Sequence, residues 1–132
     1  MKRQLGIARC GLACCLCSEN NICKGCKKDG FVELSWCKDA DWCENRNCSI
    51  NKNIDGCYKC SNSNCRKGLF KDKIKPLAFC EFIRRYGIEE LLDHLEINEK
   101  NGIIYHRNGI MGDYDVFDNI EELIEFIKTG KR

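Results

Sequence analysis

Cysteines are the residues of this chain whose type and spacing could do chemistry. The chain has 13 cysteines in 132 residues, and three pairs are separated by two residues: Cys14/Cys17, Cys23/Cys26 and Cys57/Cys60. A two-residue spacing allows a tight turn that points both sulfur atoms at one ion, and tetrahedral zinc needs four such ligands. Each pair therefore supplies half of a tetrathiolate site.

The remaining ligands come from other cysteines of the same region. Cys15 is an uncertain member of the set, because it directly follows Cys14 and neighbouring side chains usually point in different directions. We predict that two to three zinc ions are bound by Cys10, Cys14, Cys17, Cys23, Cys26, Cys37, Cys43, Cys48, Cys57, Cys60 and Cys65. The sequence does not decide which cysteines share an ion, or whether Cys15 is a further ligand.

Iron is the alternative metal. The spacing Cys10-x3-Cys14-x2-Cys17 is that by which radical S-adenosylmethionine enzymes hold an iron–sulfur cluster. Those enzymes surround the cluster with a large α/β barrel, for which 132 residues are too few. An iron–sulfur or redox protein using these three cysteines stays open, since tetrathiolate sets suit iron and zinc alike. Metal storage or transfer is a second alternative.

The compartment decides between thiolates and disulfides. The first nine residues carry charge but no apolar stretch of the length that a signal peptide needs. No later window approaches the ~20 apolar residues of a membrane span. We therefore expect a cytoplasmic protein without a membrane partner, whose thiols stay reduced and bind metal.

Charge bears on possible partners. Residues 1–71 carry 13 Lys and Arg against 7 Asp and Glu, whereas residues 72–132 carry 9 against 13. A basic half is typical of nucleic-acid binding, but each tetrathiolate zinc site carries a charge of −2 and would offset this surplus. Nucleic acid is thus an unlikely partner by this reasoning, and a protein partner stays open.

The chain divides into two parts by composition. Twelve of the 13 cysteines lie within residues 10–65, where only 13 of the other residues are apolar. So few apolar residues cannot offset the conformational entropy of folding, so residues 1–71 are predicted to be a module built on metal. Residues 72–132 form a unit with helical periodicity, and the two parts together are expected to make one compact domain.

Helix and turn signals in residues 72–132 predict about three helices and a short hairpin. The first helix has Pro76 in its first turn and Gly87 as its stop, and the second ends at Asn101-Gly102. Residues 103–106 read as a strand before an Asn108-Gly109 turn. Asp118 is the predicted N-cap of the last helix, which Gly130 ends. The predicted fold class is therefore α+β.

No catalytic constellation is visible, which favours a non-enzymatic binding or scaffolding role without excluding an enzyme. Neither histidine has a nucleophile as its partner in the sequence. The run of Asp113, Asp115 and Asp118 lacks the ligand spacing of a calcium loop and is better explained by turns and helix capping. Cys80 lies among apolar residues of the first predicted helix, which favours a buried, inert thiol.

The cysteine motifs resemble those of a known family. The run from Arg9 to Cys17, the Cys23-Lys24-Gly25-Cys26 knuckle and the later Cys57-x2-Cys60 pair are similar to the cysteine-rich family described as domain of unknown function thirty-seven ninety-five. The similarity extends to residues 82–87, 112–115 and 126–132, although the doubled Cys14-Cys15 departs from the simpler opening of that family. The resemblance implies zinc binding and no established reaction.

Overall fold

Four α-helices form the regular structure of the described residues, which in this computed structural model are 1–17, 44–61, 65–66, 70–71, 73–106 and 111–131. None of these described helices is long and apolar enough to cross a membrane. The helices are α1 (Glu44–Asn51), α2 (Ile74–Tyr86), α3 (Ile88–Lys100) and α4 (Ile120–Thr129). Single turns of 3-10 helix lie at Arg3–Leu5, Cys14–Leu16, Cys57–Lys59 and Asp113–Asp115.

The boundary between α2 and α3 is the predicted one. Pro76 lies in the first turn of α2, where its missing N–H costs no helical hydrogen bond. Gly87 ends α2 with a φ of +94°, and its N–H donates to the Ile83 carbonyl oxygen at 2.8 Å. A side chain would be strained at that φ, so glycine permits the sharp change of direction into α3.

The predicted N-cap of α4 is wrong by one residue. Asn119, not Asp118, caps the helix, and its side-chain oxygen accepts a hydrogen bond from the Glu122 N–H at 3.1 Å. Asp and Asn are equally good caps, so composition alone could not separate them. The observed register buries Leu123 and Ile127, and Gly130 ends the helix as predicted.

The predicted α+β class with a hairpin is wrong for the described residues, which are helical and contain no strand. The Ile104 N–H donates to the Asp113 side chain at 2.7 Å, and the Asp113 N–H donates to the Ile104 carbonyl at 2.8 Å. A carboxylate thus takes the place of a partner strand's carbonyl, so the pairing does not continue as a ladder. The predicted Asn108-Gly109 turn lies outside the described residues.

The core is centred on α2, which packs against α3, α4 and the turns Cys57–Lys59 and Asp113–Asp115. Its aromatic centre is Phe79, whose ring lies 6.0 Å from that of Tyr105 and 5.7 Å from that of Tyr114. The same buried cluster includes residues of the cysteine-rich part, namely Ile7, Ala13, Cys15, Cys57, Tyr58 and Phe70. Both parts of the chain therefore contribute to one core.

Candidate metal centre

Helix α1 is not held in place by an apolar face. Its one large apolar side chain, Ile50, is 44% exposed, and its buried residues are the polar Asn45 and Ser49. An eight-residue helix is too short to be stable by itself in water. Other interactions must fix α1 against the rest of the protein, and its Cys48 is placed to supply one.

Four cysteines from three segments line one small cavity beside α1. The cavity has a volume of about 20 Å³, and its lining includes Cys48 of α1, Cys57 and Cys60 of the following turn, and Cys65. Ser49, Lys52, Ile54 and Phe70 complete the wall. The structure thus brings together four predicted ligands whose grouping the sequence left open.

Two Cys-x2-Cys pairs have the same backbone conformation. In each, a single 3-10 turn begins at the first cysteine, and the N–H of the second donates to the carbonyl of the first, at 3.2 Å for Cys14/Cys17 and 3.1 Å for Cys57/Cys60. The second cysteine is extended in both, with ψ of 138°. Two distant stretches of sequence have therefore folded into the same knuckle.

Cys57 is the most enclosed thiol of the cavity. The pKa of its thiol is raised to about 11, mainly by burial and also by negative charge on Cys48, Cys65 and Cys60, while hydrogen bonding to Asn45 acts to lower it. The Asn45 amide nitrogen lies 4.0 Å from the Cys57 sulfur. A neutral thiol is favoured there until a cation compensates the charge of the thiolate.

Lys52 supplies positive charge at the rim of the cavity. Its ammonium nitrogen lies 3.2 Å from the Cys60 sulfur, and this hydrogen bond is the main cause of the raised pKa of Lys52. Negative charge on Cys48, Cys60 and Cys65 raises that pKa as well. The lysine would therefore partly neutralise a negatively charged tetrathiolate.

The knuckle is fastened to the helical core by its backbone. The Cys57 N–H donates to the Arg9 carbonyl at 2.6 Å, and the Cys57 carbonyl accepts from the Arg84 guanidinium of α2 at 2.9 Å. Gly56 makes this approach possible, since a Cβ there would lie 2.8 Å from the Arg9 oxygen and 2.5 Å from the Tyr58 ring. The cavity therefore has a fixed position relative to α2.

A second group of predicted ligands lies within electrostatic range of Tyr105. The Tyr105 hydroxyl accepts a hydrogen bond from the Ala13 N–H at 2.9 Å, directly before Cys14. The pKa of this phenol is well above its ordinary value, mainly because of burial and also because of negative charge on Cys10, Cys14 and Cys17, while the Ala13 hydrogen bond acts to lower it. These three thiols thus lie within electrostatic range of one buried hydroxyl.

Cys15 and Cys80 belong to the core. Cys15 is fully buried and has the position in its knuckle that the buried Tyr58 has in the other, so its side chain anchors the turn. The Cys80 thiol, buried as expected, donates to the Cys10 carbonyl at 3.2 Å. Burial raises the pKa of Cys15 to about 11 and that of Cys80 to about 12, which favours neutral thiols.

The predicted ligands therefore fall into three sets. Cys48, Cys57, Cys60 and Cys65 share a cavity, and Cys10, Cys14 and Cys17 share the surroundings of Tyr105. Cys23, Cys26, Cys37 and Cys43 lie outside the described residues. Sequence reasoning missed two participants. Lys52 follows Cys48 by four residues, a helical spacing that could have indicated it, whereas nothing in the sequence connects Tyr105 to Cys14.

The described thiols are neither cross-linked nor already in a ligand arrangement. None of the nine described cysteines is in a disulfide. Within the described ranges, no group of three or more His, Cys, Asp or Glu side chains is arranged to hold a metal ion. No family model, curated protein or solved structure matches the chain significantly, so the resemblance to the cysteine-rich family stays a prediction.

Proposed function

We propose that this protein is a zinc-binding structural module that serves as a binding or scaffolding unit. Its best-supported centre consists of Cys48, Cys57, Cys60 and Cys65. The observation that carries the proposal is the shared cavity, because four thiols from three segments line it together with the ammonium group of Lys52. Four sulfur ligands and no histidine suit a closed structural zinc site rather than a catalytic one, which keeps a position open for water.

The proposed centre explains why α1 can be part of the fold. Zinc bound by Cys48 would connect α1 to the Cys57–Lys59 turn, which the core already holds through Tyr58. Ligation requires the four thiols to lose their protons and turn towards one point. The charge of the ion favours that loss at the buried Cys57, and Lys52 favours it at Cys60.

A second ion is proposed at Cys10, Cys14 and Cys17. Its fourth ligand would be one of Cys23, Cys26, Cys37 and Cys43, and the three thiols that remain would form a third site with one further ligand. The total of two to three zinc ions follows from this arithmetic. The matching knuckle conformations at Cys14/Cys17 and Cys57/Cys60 support the same chemistry at both places.

Elemental analysis of protein purified without added metal tests the proposal. We expect two to three zinc ions per chain and little iron. Cys60→Ser should remove one equivalent, because Cys60 faces the cavity. Cys15→Ala is the matched control: it removes a thiol from a knuckle but should leave the count unchanged, since that thiol is buried in the core.

Three results would contradict the proposal. A colourless protein without bound metal would show that the chain does not bind zinc. A brown protein with absorption near ~400 nm, the signature of thiolate–iron clusters, would favour the iron–sulfur alternative at Cys10, Cys14 and Cys17. Zinc that a weak chelator removes without loss of structure would favour metal storage or transfer.

A further inference from the structure

We infer that Tyr105 is an outer-sphere partner of the metal site at Cys10, Cys14 and Cys17, donating its hydroxyl hydrogen to a metal-bound thiolate. The inference rests on the proposed function and deepens it, because it assigns a positioning residue that lies far from the cysteines in sequence. Groups that hydrogen-bond to metal ligands fix the orientation of those ligands and tune their charge.

The Tyr105 hydroxyl accepts one hydrogen bond and has a hydrogen left to donate. Tyr105 is 93% buried, being 7% exposed, so water is not its usual partner. Its oxygen already accepts from the Ala13 N–H, and in the described part of the chain its own hydrogen has no acceptor. A buried donor without an acceptor is uncommon and calls for a ligand-dependent partner. Cys14 directly follows Ala13, whose N–H donates to the hydroxyl oxygen, and its thiol would become negative on metal binding.

Lys75 strengthens the hydroxyl as a donor. Its ammonium lies 4.1 Å from the centre of the Tyr105 ring and forms an ion pair with Asp115 at 2.9 Å. A cation over an aromatic face withdraws electron density from the ring, and a phenol depleted of electrons donates a stronger hydrogen bond. The Lys75 side chain is 9% exposed, so the contact is well shielded from water.

The closing experiment compares Tyr105→Phe with a matched control, Tyr114→Phe. Tyr114 belongs to the same aromatic cluster, is equally enclosed, and accepts from Asn98 at 3.1 Å, but the negative charges that raise its pKa are those of Asp113 and Glu99 and not of any described thiol. Both variants remove one buried hydroxyl and keep the ring. The readouts are zinc affinity by competition with a chromophoric chelator and the cadmium-113 NMR spectrum of protein loaded with cadmium, in which each site gives its own resonance.

For Tyr105→Phe we expect about 10-fold weaker zinc binding at one site, within the 10–100-fold range of outer-shell changes, and a shift of one cadmium resonance. Tyr114→Phe should change neither the zinc affinity nor the cadmium resonances. Should Tyr105→Phe fold poorly, fluorotyrosine at position 105, a stronger donor of the same shape, should shift the same resonance in the opposite direction.

The outcomes separate the two proposals. A wild-type protein that takes up metal, with Tyr105→Phe or the fluorotyrosine protein giving the same resonances, would refute the role of Tyr105 alone. Equal shifts from Tyr114→Phe would also refute it, because the effect would then be that of any lost hydroxyl in this cluster. A wild-type protein that binds neither zinc nor cadmium would refute the metal sites themselves.

Discussion

Removal of metal should unfold α1 and leave α2, α3 and α4 folded. Ordering the eight residues of α1 costs roughly 1–2 kcal/mol of conformational entropy each, about 8–16 kcal/mol in all. Its apolar contribution is small, since a fully buried Ile side chain stabilises by about 1.5–3 kcal/mol and Ile50 is 44% exposed. Structural zinc, at roughly 10–16 kcal/mol in small zinc-finger peptides, is of the size needed.

Unlike α1, the helices α2, α3 and α4 are held together by buried apolar side chains. Its buried side chains include Phe79 and Phe82 of α2, Leu91 and Leu95 of α3, and Leu123 and Ile127 of α4. None of these residues lies at the thiol cavity. Burial of this kind does not depend on metal, so the three helices should persist in the chelated protein, although with lower overall stability.

Hydrogen exchange followed by mass spectrometry resolves the two regions. With chelator, peptides from residues 44–61 should lose protection almost completely, whereas peptides from residues 74–100 and 120–129 should keep most of it. Cys48→Ser should reproduce the effect at α1 without chelator. Ile50→Ala, a change on the same helix that spares the thiol, should leave α1 protected in the metal-bound protein.

Loss of protection in both regions together would refute the reasoning. It would mean that the shared core unfolds as one cooperative unit and that the metal stabilises all of it. Retention of protection at residues 44–51 in chelator would refute the prediction that α1 needs metal, since α1 would then be stable without any thiolate bond.

Three further outcomes follow from particular contacts. Leu123→Ala, at a fully buried position, should lower the free energy of unfolding by about 2–5 kcal/mol, whereas Ile97→Ala, at a position 54% exposed, should change it by about 0.5 kcal/mol or less in denaturant titrations. Gly56→Ala should weaken zinc binding in the chelator competition, because its Cβ would push the Cys57 knuckle off the Arg9 carbonyl; unchanged affinity would show that this contact does not position the ligands. At physiological salt, labelled oligonucleotides should bind more weakly than the roughly 10⁻⁴–10⁻⁶ M of non-specific binders. Micromolar binding that weakens with salt and is lost in the Lys52→Glu, Lys59→Glu double variant would contradict this prediction.

The helices of the C-terminal unit could be predicted because their signals are local. Gly87 and Gly130 stop helices through their own backbone conformation, and the leucines of α3 repeat at helical spacing. The prediction of a strand over residues 103–106 was wrong because the side chain of Asp113, nine positions away, binds the Ile104 N–H. Helix α1 has no apolar periodicity, so no local signal could predict it.

The sequence likewise predicted only the local part of the candidate site. Spacing identified the Cys57/Cys60 knuckle, because two ligands in one turn are a local feature. The addition of Cys48 and Cys65 depends on how α1 and the segment after the knuckle pack, which spacing does not specify. The role of Cys15 was left open by the sequence, and its place became evident only beside Tyr58, the core residue at the same position in the other knuckle.

The two knuckles place both proposed metal sites next to the helical core. The residue after the first cysteine of each knuckle is buried in the core, while the cysteines themselves line the cavity or lie within electrostatic range of Tyr105. The Arg9 carbonyl, next to Cys10, accepts from the Cys57 N–H, so a backbone hydrogen bond connects the two proposed sites. An ion bound at either site would hold one end of that bond in place. Binding at one site should therefore reduce the cost of ordering the other, which is the physical requirement for cooperative uptake of metal.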